Sequence, residues 1–421
     1  MLVTPSWTSP EGRTLFLGAA TVLISFISYF FLNLAPSKKI SGKAARATRL
    51  REAFDNIEKR TSPSEKGTKN DASSSQSLKV KELWIYPIKS LRGCSVPRAM
   101  LTNEGFYLDR RFMLLKKENA GKPSNMHVSH HGSMTLFHPR ILGSKILVVY
   151  RQPGTSEPSG HVLELDLEPS IDGLETLDVI MHGSPSKAYN MGSDCNSWFS
   201  ERFGFDVVLA FWGGNTRLVL GNQPTKPTSS AIRNRLSQIP VVGAVFQDPQ
   251  NDKIAFNDCA PYLVINQKSV DNVSTRLPDG MDMDLSKFRA NIVVSSPSPT
   301  ASPSLKEWDE DFWRTIEFPA TNSRIILTGN CGRCPSLNVN YKTGTHAKSK
   351  EDEADGGVQV LRLLQKDRRV DKGVKYSPIF GRYGFVASGG EGQVVRVGDE
   401  VKVVEKNEEH TTFYWPELST A

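Results

Sequence analysis

Two cysteines separated by two residues, Cys331 and Cys334 in NCGRCPSLNVN, are of the type and spacing that hold a soft metal or carry thiol redox chemistry. Arg333 stands between them, and a guanidinium beside a thiol lowers its pKa and attracts anions. A structural zinc site needs four ligands, and no second CxxC completes one. Basic and polar residues suited to an anion lie elsewhere along the chain. YPIKSLRG, Tyr86 to Gly93, offers the Lys89 ammonium, the Ser90 hydroxyl and backbone donors where a strand yields to a loop. That suits a phosphate, and a turn with a solvated lysine is the plainer alternative. In LDRRFMLL, alternation puts Arg110 and Arg111 on opposite faces, one to pair with Asp109 and the other open to an anion. In KFRANIVV, Arg289 and Asn291 share a side as the chain enters an apolar strand, where they would clamp a flat heterocycle and its phosphate, the arginine being a surface charge in the plainer alternative. Asn257, Asp258 and Cys259 precede the strand YLVI, as a polar patch or a capped turn.

Other chemistries find little support. His127, His130 and His131 sit in a loop without further ligands at metal spacing, which reads as solvated. No Ser-His-Asp order, HExxH, Walker A or GxGxxG context is present, which disfavours hydrolase, metalloprotease and nucleotide-binding functions.

The elements that must position these residues are mostly strands. VKELWIYPI, FMLLKK, KILVVYR and LELDLE are short β-branched and aromatic stretches separated by Gly, Pro and Asn. Asp194 to Phe203 is the clearest helix of this first series, capped by Ser193 or Asp194. A second series follows a Pro-, Gln- and Ser-rich connection at 222–250: YLVINQ, a helix at SVDNVSTRL, ANIVVS, a helix near Leu305 to Trp313, and RIILTG. A helix over Val358 to Asp367 and a final hairpin in VVRVGDEVKVV complete it. Strands without regular β-α alternation predict a mainly β, α+β architecture of two β-barrel-like domains with a few helices.

The totals narrow the partners. At 421 residues the chain is long enough for two domains, and its net charge of +7 comes without any zinc-finger, RNP or basic-helix signature, so no nucleic-acid partner is expected. Five cysteines, an odd number, argue against a disulfide framework and for a reducing compartment. Thr14 to Ala35 is an uncharged apolar run of roughly 22 residues, enough to cross a hydrocarbon core of about 30 Å as one transmembrane signal anchor. Lys38, Lys39, Lys43, Arg46, Arg49 and Arg51 follow it, which leaves the bulk of the chain cytosolic. The expected organisation is a short segment at 1–13, the anchor at 14–35, a basic and Ser-rich tether at 36–78, a first β domain at 79–215, a second at 229–404 and a tail at 405–421.

LWIYPIKSLRG, GFYLDRRFML, DCNSWFSERFG, FRANIVVS, GNCGRCPSLNVN and YSPIFGRYGFV occur in the order and approximate spacing of the MOSC family. Over about residues 80 to 404 the chain resembles the mitochondrial amidoxime-reducing components, with a MOSC N-terminal β-barrel domain followed by the MOSC domain. The resemblance implies a molybdenum cofactor, a pterin dithiolene with a terminal phosphate. By motif it makes Cys334 the metal ligand and catalytic position, with Gly332 and Arg333 as neighbouring cofactor contacts. Lys89 and Ser90 match the pair that meets the phosphate, Arg110 the arginine of the DR motif, Arg289 and Asn291 the FRPN-type motif, and Tyr383 a tyrosine of the carboxy-terminal strands. Cys259 and Ala260 stand where relatives carry Thr-Ser, which leaves only backbone contacts there. The 125–140 segment is longer and His-rich where relatives have a tight turn.

The implied activity is two-electron reduction of N-hydroxylated compounds, with electrons from cytochrome b5 and its NADH-dependent reductase. The resemblance favours the mitochondrial outer membrane, with the endoplasmic reticulum as the other site. Two rivals stand beside this reading. One is a cofactor-carrying or sulfur-handling MOSC protein, disfavoured by the lack of a desulfurase domain in this sequence. The other is a thiol-redox or zinc protein using Cys331 and Cys334.

Overall fold

The strand Leu78–Ile85 is the seam of the fold. Its partners are Ile292–Ser295 on one side and Glu400–Lys406 on the other, with the short strand Cys94–Val96 added at its carboxyl end. From Ile292–Ser295 the sheet continues through Tyr262–Asn266, Ile379–Val386, Ser323–Gly332 and Trp313–Phe318 to Glu400–Lys406, and the seam strand closes it. Closure satisfies backbone groups that an open edge would expose. The first strand thus lies in the sheet of the second series, and side chains at its end reach that sheet's interior.

The structure is a computed structural model that describes residues 78–118, 122–155, 158–215, 217–224, 253–278, 280–297, 305–347 and 358–420. The expected anchor, the tether and most of the 222–250 connection lie outside the described residues. Among the described residues, no helix is long and apolar enough to cross a membrane.

A second, five-stranded sheet runs Thr176–Met181, Ser184–Asn190, Val207–Phe211, Phe112–Lys116, Ser124–Asn125, and a three-stranded sheet of Phe137–Leu142, Lys145–Tyr150 and Leu163–Asp166 completes that part. Alternation in FMLLK explains its central place. Phe112 and Leu114 pack with Phe137, Trp198 and Leu209, while Met113 and Leu115 pack with Val179, Val208 and Phe256 on the other face. The architecture is mainly β, with two barrel-like sheets and few helices.

The helices are shorter than expected at three places. Ser193–Phe203 forms, but Gly192 holds its N-cap position at φ 91° with no capping side chain; Asn190 supplies the oxygen that receives Gly192 N–H, at 3.0 Å. Gln267–Ser274 is capped by Asn266, whose side chain accepts from Lys268 N–H. The helix expected near 305–313 is a single 3-10 turn, Asp309–Phe312, and the one expected over 358–367 is confined to Val360–Gln365. The expected final hairpin does not form. Val394–Arg396 pairs with Arg98–Thr102 and Glu400–Lys406 joins the closed sheet, because Gly398, at φ 90°, and the Asp399 side chain on Arg396 N–H turn the chain between sheets. Beyond it, Phe413 and Trp415 are buried with Val219, Ile254, Ile379 and Phe385.

A polar network underlies the strand that carries Tyr383. Arg368 Nη2 donates to Asp311 Oδ2 at 2.6 Å, and Arg382 Nη1 donates to Asn330 Oδ1 and the Asp311 carbonyl, both at 2.7 Å. Glu310 beside it accepts from Ser269 Oγ, at 2.7 Å, and its Oε1 has no partner among the described residues. Burial, and then Asp311, push the Glu310 carboxyl up to about 7. A raised carboxyl pKa means that the folded state prefers the proton. The associated stability is present below the unfolded carboxyl range, and is lost as the pH rises through about 7. Glu310→Gln, neutral throughout, is therefore expected to gain on wild type by up to on the order of 3 kcal/mol between pH 5 and pH 8. Urea unfolding at both pH values measures it, and a pH-independent difference would contradict the assignment.

Candidate functional site

The chain turns sharply three times at the mouth of the closed sheet, each time with a residue other than glycine in the left-handed region: Ser90 at φ 69°, Arg110 at φ 50° and Arg289 at φ 55°. Such backbone costs about 1–2 kcal/mol per residue and persists only where surroundings enforce it. The enforcement is visible. Tyr86 N–H donates to Asp109 Oδ1 at 2.7 Å, Arg110 N–H to the Tyr86 carbonyl at 2.7 Å, and Lys89 N–H to the Phe112 carbonyl at 2.7 Å.

Those turns gather the cations. Arg110 pairs with the buried Asp109 and donates to Asn291 Oδ1 at 3.3 Å and the Arg289 carbonyl at 3.2 Å. Two guanidiniums lie over the Tyr86 ring, Arg289 at 4.5 Å and Arg110 at 4.8 Å from its centroid. Arg289 Nη1 donates to the Leu91 carbonyl at 2.7 Å, while its Nη2 is buried with no hydrogen-bond partner among the described residues. Lys89 forms an ion pair with Asp258 Oδ1, and His182 Nε2 stands 3.4 Å from the same oxygen. Beneath them Arg217 donates to the carbonyls of Asn257, Asp258 (2.7 Å) and Met181 (3.1 Å), which fixes the 255–258 turn.

Burial lowers the pKa of Lys89, with Asp258 opposing it, and brings Arg217 down to about 10. For Asp258, desolvation would raise the carboxyl, but Lys89 and then His182 outweigh it and hold it well below the usual range. The Asp258 side chain keeps 51% of its surface open, so the attraction needs little help to prevail. Four cations, Lys89, Arg110, Arg217 and Arg289, thus face two carboxylates, Asp109 and Asp258, and the pocket carries a net positive charge matched to a dianion.

The two cysteines of CGRC are not equivalent. Extended backbone sends alternate side chains to opposite sides, so Cys331 and Arg333 turn inward and Cys334 outward. Arg333 donates to Cys331 Sγ at 3.0 Å and to the Phe288 carbonyl at 2.9 Å, so its hydrogen bond goes to Cys331 and not to Cys334. Cys334 is the one exposed cysteine among the described residues, with Sγ 3.1 Å from Ser336 Oγ. Tyr383 links the two halves: burial, then Cys331 and Cys259, raise its phenol, and its hydroxyl also bonds Cys331. Cys259 and Ala260 are buried beside it, and burial followed by Asp258 pushes the Cys259 thiol up. Gly332 ends the strand opposite Ile379, with room for a Cβ at 3.5 Å from Ser377 and Val374.

The structure therefore brings Lys89, Ser90, Arg110, Arg289 and Asn291 to one mouth, and Cys331, Arg333 and Tyr383 to the adjoining pair of strands. Asn291 is a frame for the site: its amide is taken up by Leu263 N–H at 3.2 Å and the Trp84 carbonyl at 3.2 Å. Arg111 lies on the far side, 4.3 Å over the Trp212 ring. Asn257 proves to be a turn-holding residue, donating to the Pro261 carbonyl at 3.1 Å. Tyr86, Arg217 and His182 escaped the sequence reading. The HG pair after the alternating TLDVIM was the available signal for His182, because it marks a tight hairpin tip. Among the described residues, no three His, Cys, Asp or Glu side chains converge as a metal-binding group.

Residues 77–206 match the MOSC N-terminal beta barrel domain and residues 251–402 the MOSC domain. The chain is 24% identical to the molybdenum cofactor sulfurase of Aspergillus niger, over 76% of this chain and 41% of that protein. It is 26% identical to that of Oryza sativa subsp. japonica, over 65% and 30%. It is 27% identical to the mitochondrial amidoxime reducing component 2 of Bos taurus, over 76% and 82%. The chain thus spans less than half of the two sulfurases it matches.

Proposed function

We propose that this chain, which carries both MOSC domains, binds a molybdenum pterin and reduces N-hydroxylated compounds of the amidoxime type. The observation that carries this reading is the pairing of an outward-facing Cys334 thiol with a cation-rich mouth in which a buried donor, Arg289 Nη2, has no partner among the described residues. A buried guanidinium nitrogen without an acceptor is costly, and a phosphate oxygen is the acceptor that such a site suits. The donor set fits the cofactor at both ends: a soft thiolate for the metal, and cations for the phosphate.

When bound, the cofactor supplies a two-electron redox centre next to the substrate. The protein's own residues do the rest. Lys89, Arg110 and Arg289 hold the phosphate end, with the Tyr86 ring packed against both guanidiniums and Asn291 accepting from Arg110. Cys334 fixes the metal end, while Cys331, tied to Arg333, stays in the core. Overall, an amidoxime takes up two electrons and two protons, its N–O bond breaks, and an amidine and water are released. The sequence contains no nicotinamide or haem motif, so we assign the electron supply to cytochrome b5 and its NADH-dependent reductase. An anchor at 14–35 would hold the chain beside membrane-bound partners at high effective concentration, with the mitochondrial outer membrane favoured.

The full chain purified from a cofactor-competent host, mixed with cytochrome b5, its reductase and NADH, is expected to convert benzamidoxime to benzamidine with equimolar NADH consumed. The similarity to two sulfurases favours a second reading, a cofactor-carrying or sulfur-handling protein. Stoichiometric molybdenum without any reduction in this assay would select it.

A further inference from the structure

The hairpin between Thr176–Met181 and Ser184–Asn190 has the two-residue tip His182–Gly183, both at positive φ (49° and 73°). It is pinned from outside its own sheet. Trp415 Nε1 donates to the His182 carbonyl at 2.8 Å, Arg217 Nη1 to the Met181 carbonyl at 3.1 Å, and Ser184 Oγ to the Leu218 carbonyl at 2.8 Å. A tip held this firmly places its one functional side chain with little freedom. That side chain is the His182 imidazole, which shares Asp258 Oδ1 with Lys89.

We propose that His182 is a positioning residue of the anion site, holding Asp258 so that the Lys89 ammonium can engage an incoming dianion. The inference rests on the reading of Lys89 as a phosphate-binding cation. A carboxylate beside an anion site opposes binding, and Lys89, buried and paired with Asp258, is otherwise committed to that carboxylate. A second donor on the same oxygen takes over part of the carboxylate's demand and lowers the cost of turning Lys89 toward a ligand. The other groups around the imidazole fit this role. His127, with its ring 6.2 Å away, is held down to about 4 by burial and then by Lys89, so it does not compete as a cation near neutral pH. His130 lies beyond His127, the Trp415 ring is 6.5 Å from His182, and the Glu417 carboxylate packs by Gly183.

The test uses the full chain made without cofactor, with sulfate as the probe because it stays dianionic through the working range, and isothermal titration as the readout. Lys89→Met reports on the underlying reading: wild type should bind sulfate and this variant should lose it. His182→Leu is expected to weaken sulfate about 5-fold, the size of one ordinary hydrogen bond, while His182→Gln, which keeps a donor, stays within about 2-fold of wild type. Both variants carry the same left-handed backbone position, so their comparison cancels that cost, and thermal unfolding of each checks the hairpin. In an Asp258→Asn background, His182→Leu should have no further effect, because the residue acts through that carboxylate. Unchanged affinity in His182→Leu, equal loss in the Gln variant, or the same loss with and without Asp258→Asn would overturn the proposal. Equal sulfate binding by wild type and Lys89→Met would overturn the Lys89 reading itself.

Discussion

Cys334→Ser is expected to abolish amidoxime reduction and to strip molybdenum from the protein, whereas Cys331→Ser keeps the metal and much of the activity. The asymmetry follows from the backbone. Extended geometry at the end of Ser323–Gly332 puts neighbours two apart on the same side, which buries Cys331 with Arg333 and turns Cys334 outward. A serine oxygen at 334 is a hard donor where a soft thiolate is required, so the loss should be complete. At 331 a serine oxygen still accepts from Arg333 Nη1 and removes little volume, so the expected cost is about 1 kcal/mol of stability. Elemental analysis and benzamidoxime turnover on both variants measure this. Equal loss of metal in the two would undo the distinction between the cysteines.

Arg217→Met should be the most damaging single change outside the proposed metal ligand. Arg217 is buried and donates to the carbonyls of Met181, Asn257 and Asp258, so its removal leaves acceptors in the core without donors. Each such group costs about 1–3 kcal/mol, so the loss expected for the three is at least about 3 kcal/mol of stability. The effect also reaches function, because the same turn presents Asp258 to Lys89 and His182. Urea unfolding should show a lowered midpoint with an unchanged slope, and the purified protein should be depleted in cofactor. Lys89→Met, by contrast, leaves a half-open Asp258 that water can solvate, and it should cost cofactor affinity with little stability. Similar unfolding midpoints for the two variants would contradict this division of labour.

What was legible in the sequence was local. Lys89, Arg110, Arg289 and Asn291 each sit where an apolar strand meets a turn, and a side chain at such a junction belongs to the mouth of a barrel. The chemistry of a thiol near cations was visible for the same reason. What was hidden depends on long-range pairing. Nothing in LKVKELWI says that it pairs with Ile292–Ser295 and Glu400–Lys406, yet that closure brings Tyr86 and Lys89 to Asp258. Left-handed backbone at Ser90, Arg110 and Arg289 was hidden because these residue types do not announce it as glycine does. VVRVGDEVKVV reads as a hairpin from its turn alone, but its two strands find better partners in different sheets. Arg217 stands in a plain stretch, TRLVL, and its importance comes only from the carbonyls folded around it.

The chemistry proposed for this chain depends on one pocket holding a molybdenum pterin by Cys334 at one end and by Lys89, Arg110 and Arg289 at the other. Metal and pterin analysis of the full chain, purified from a cofactor-competent host, tests that most directly. Stoichiometric molybdenum with stoichiometric pterin is expected, both lost in Cys334→Ser. Zinc in place of molybdenum, or no metal at all, would contradict it.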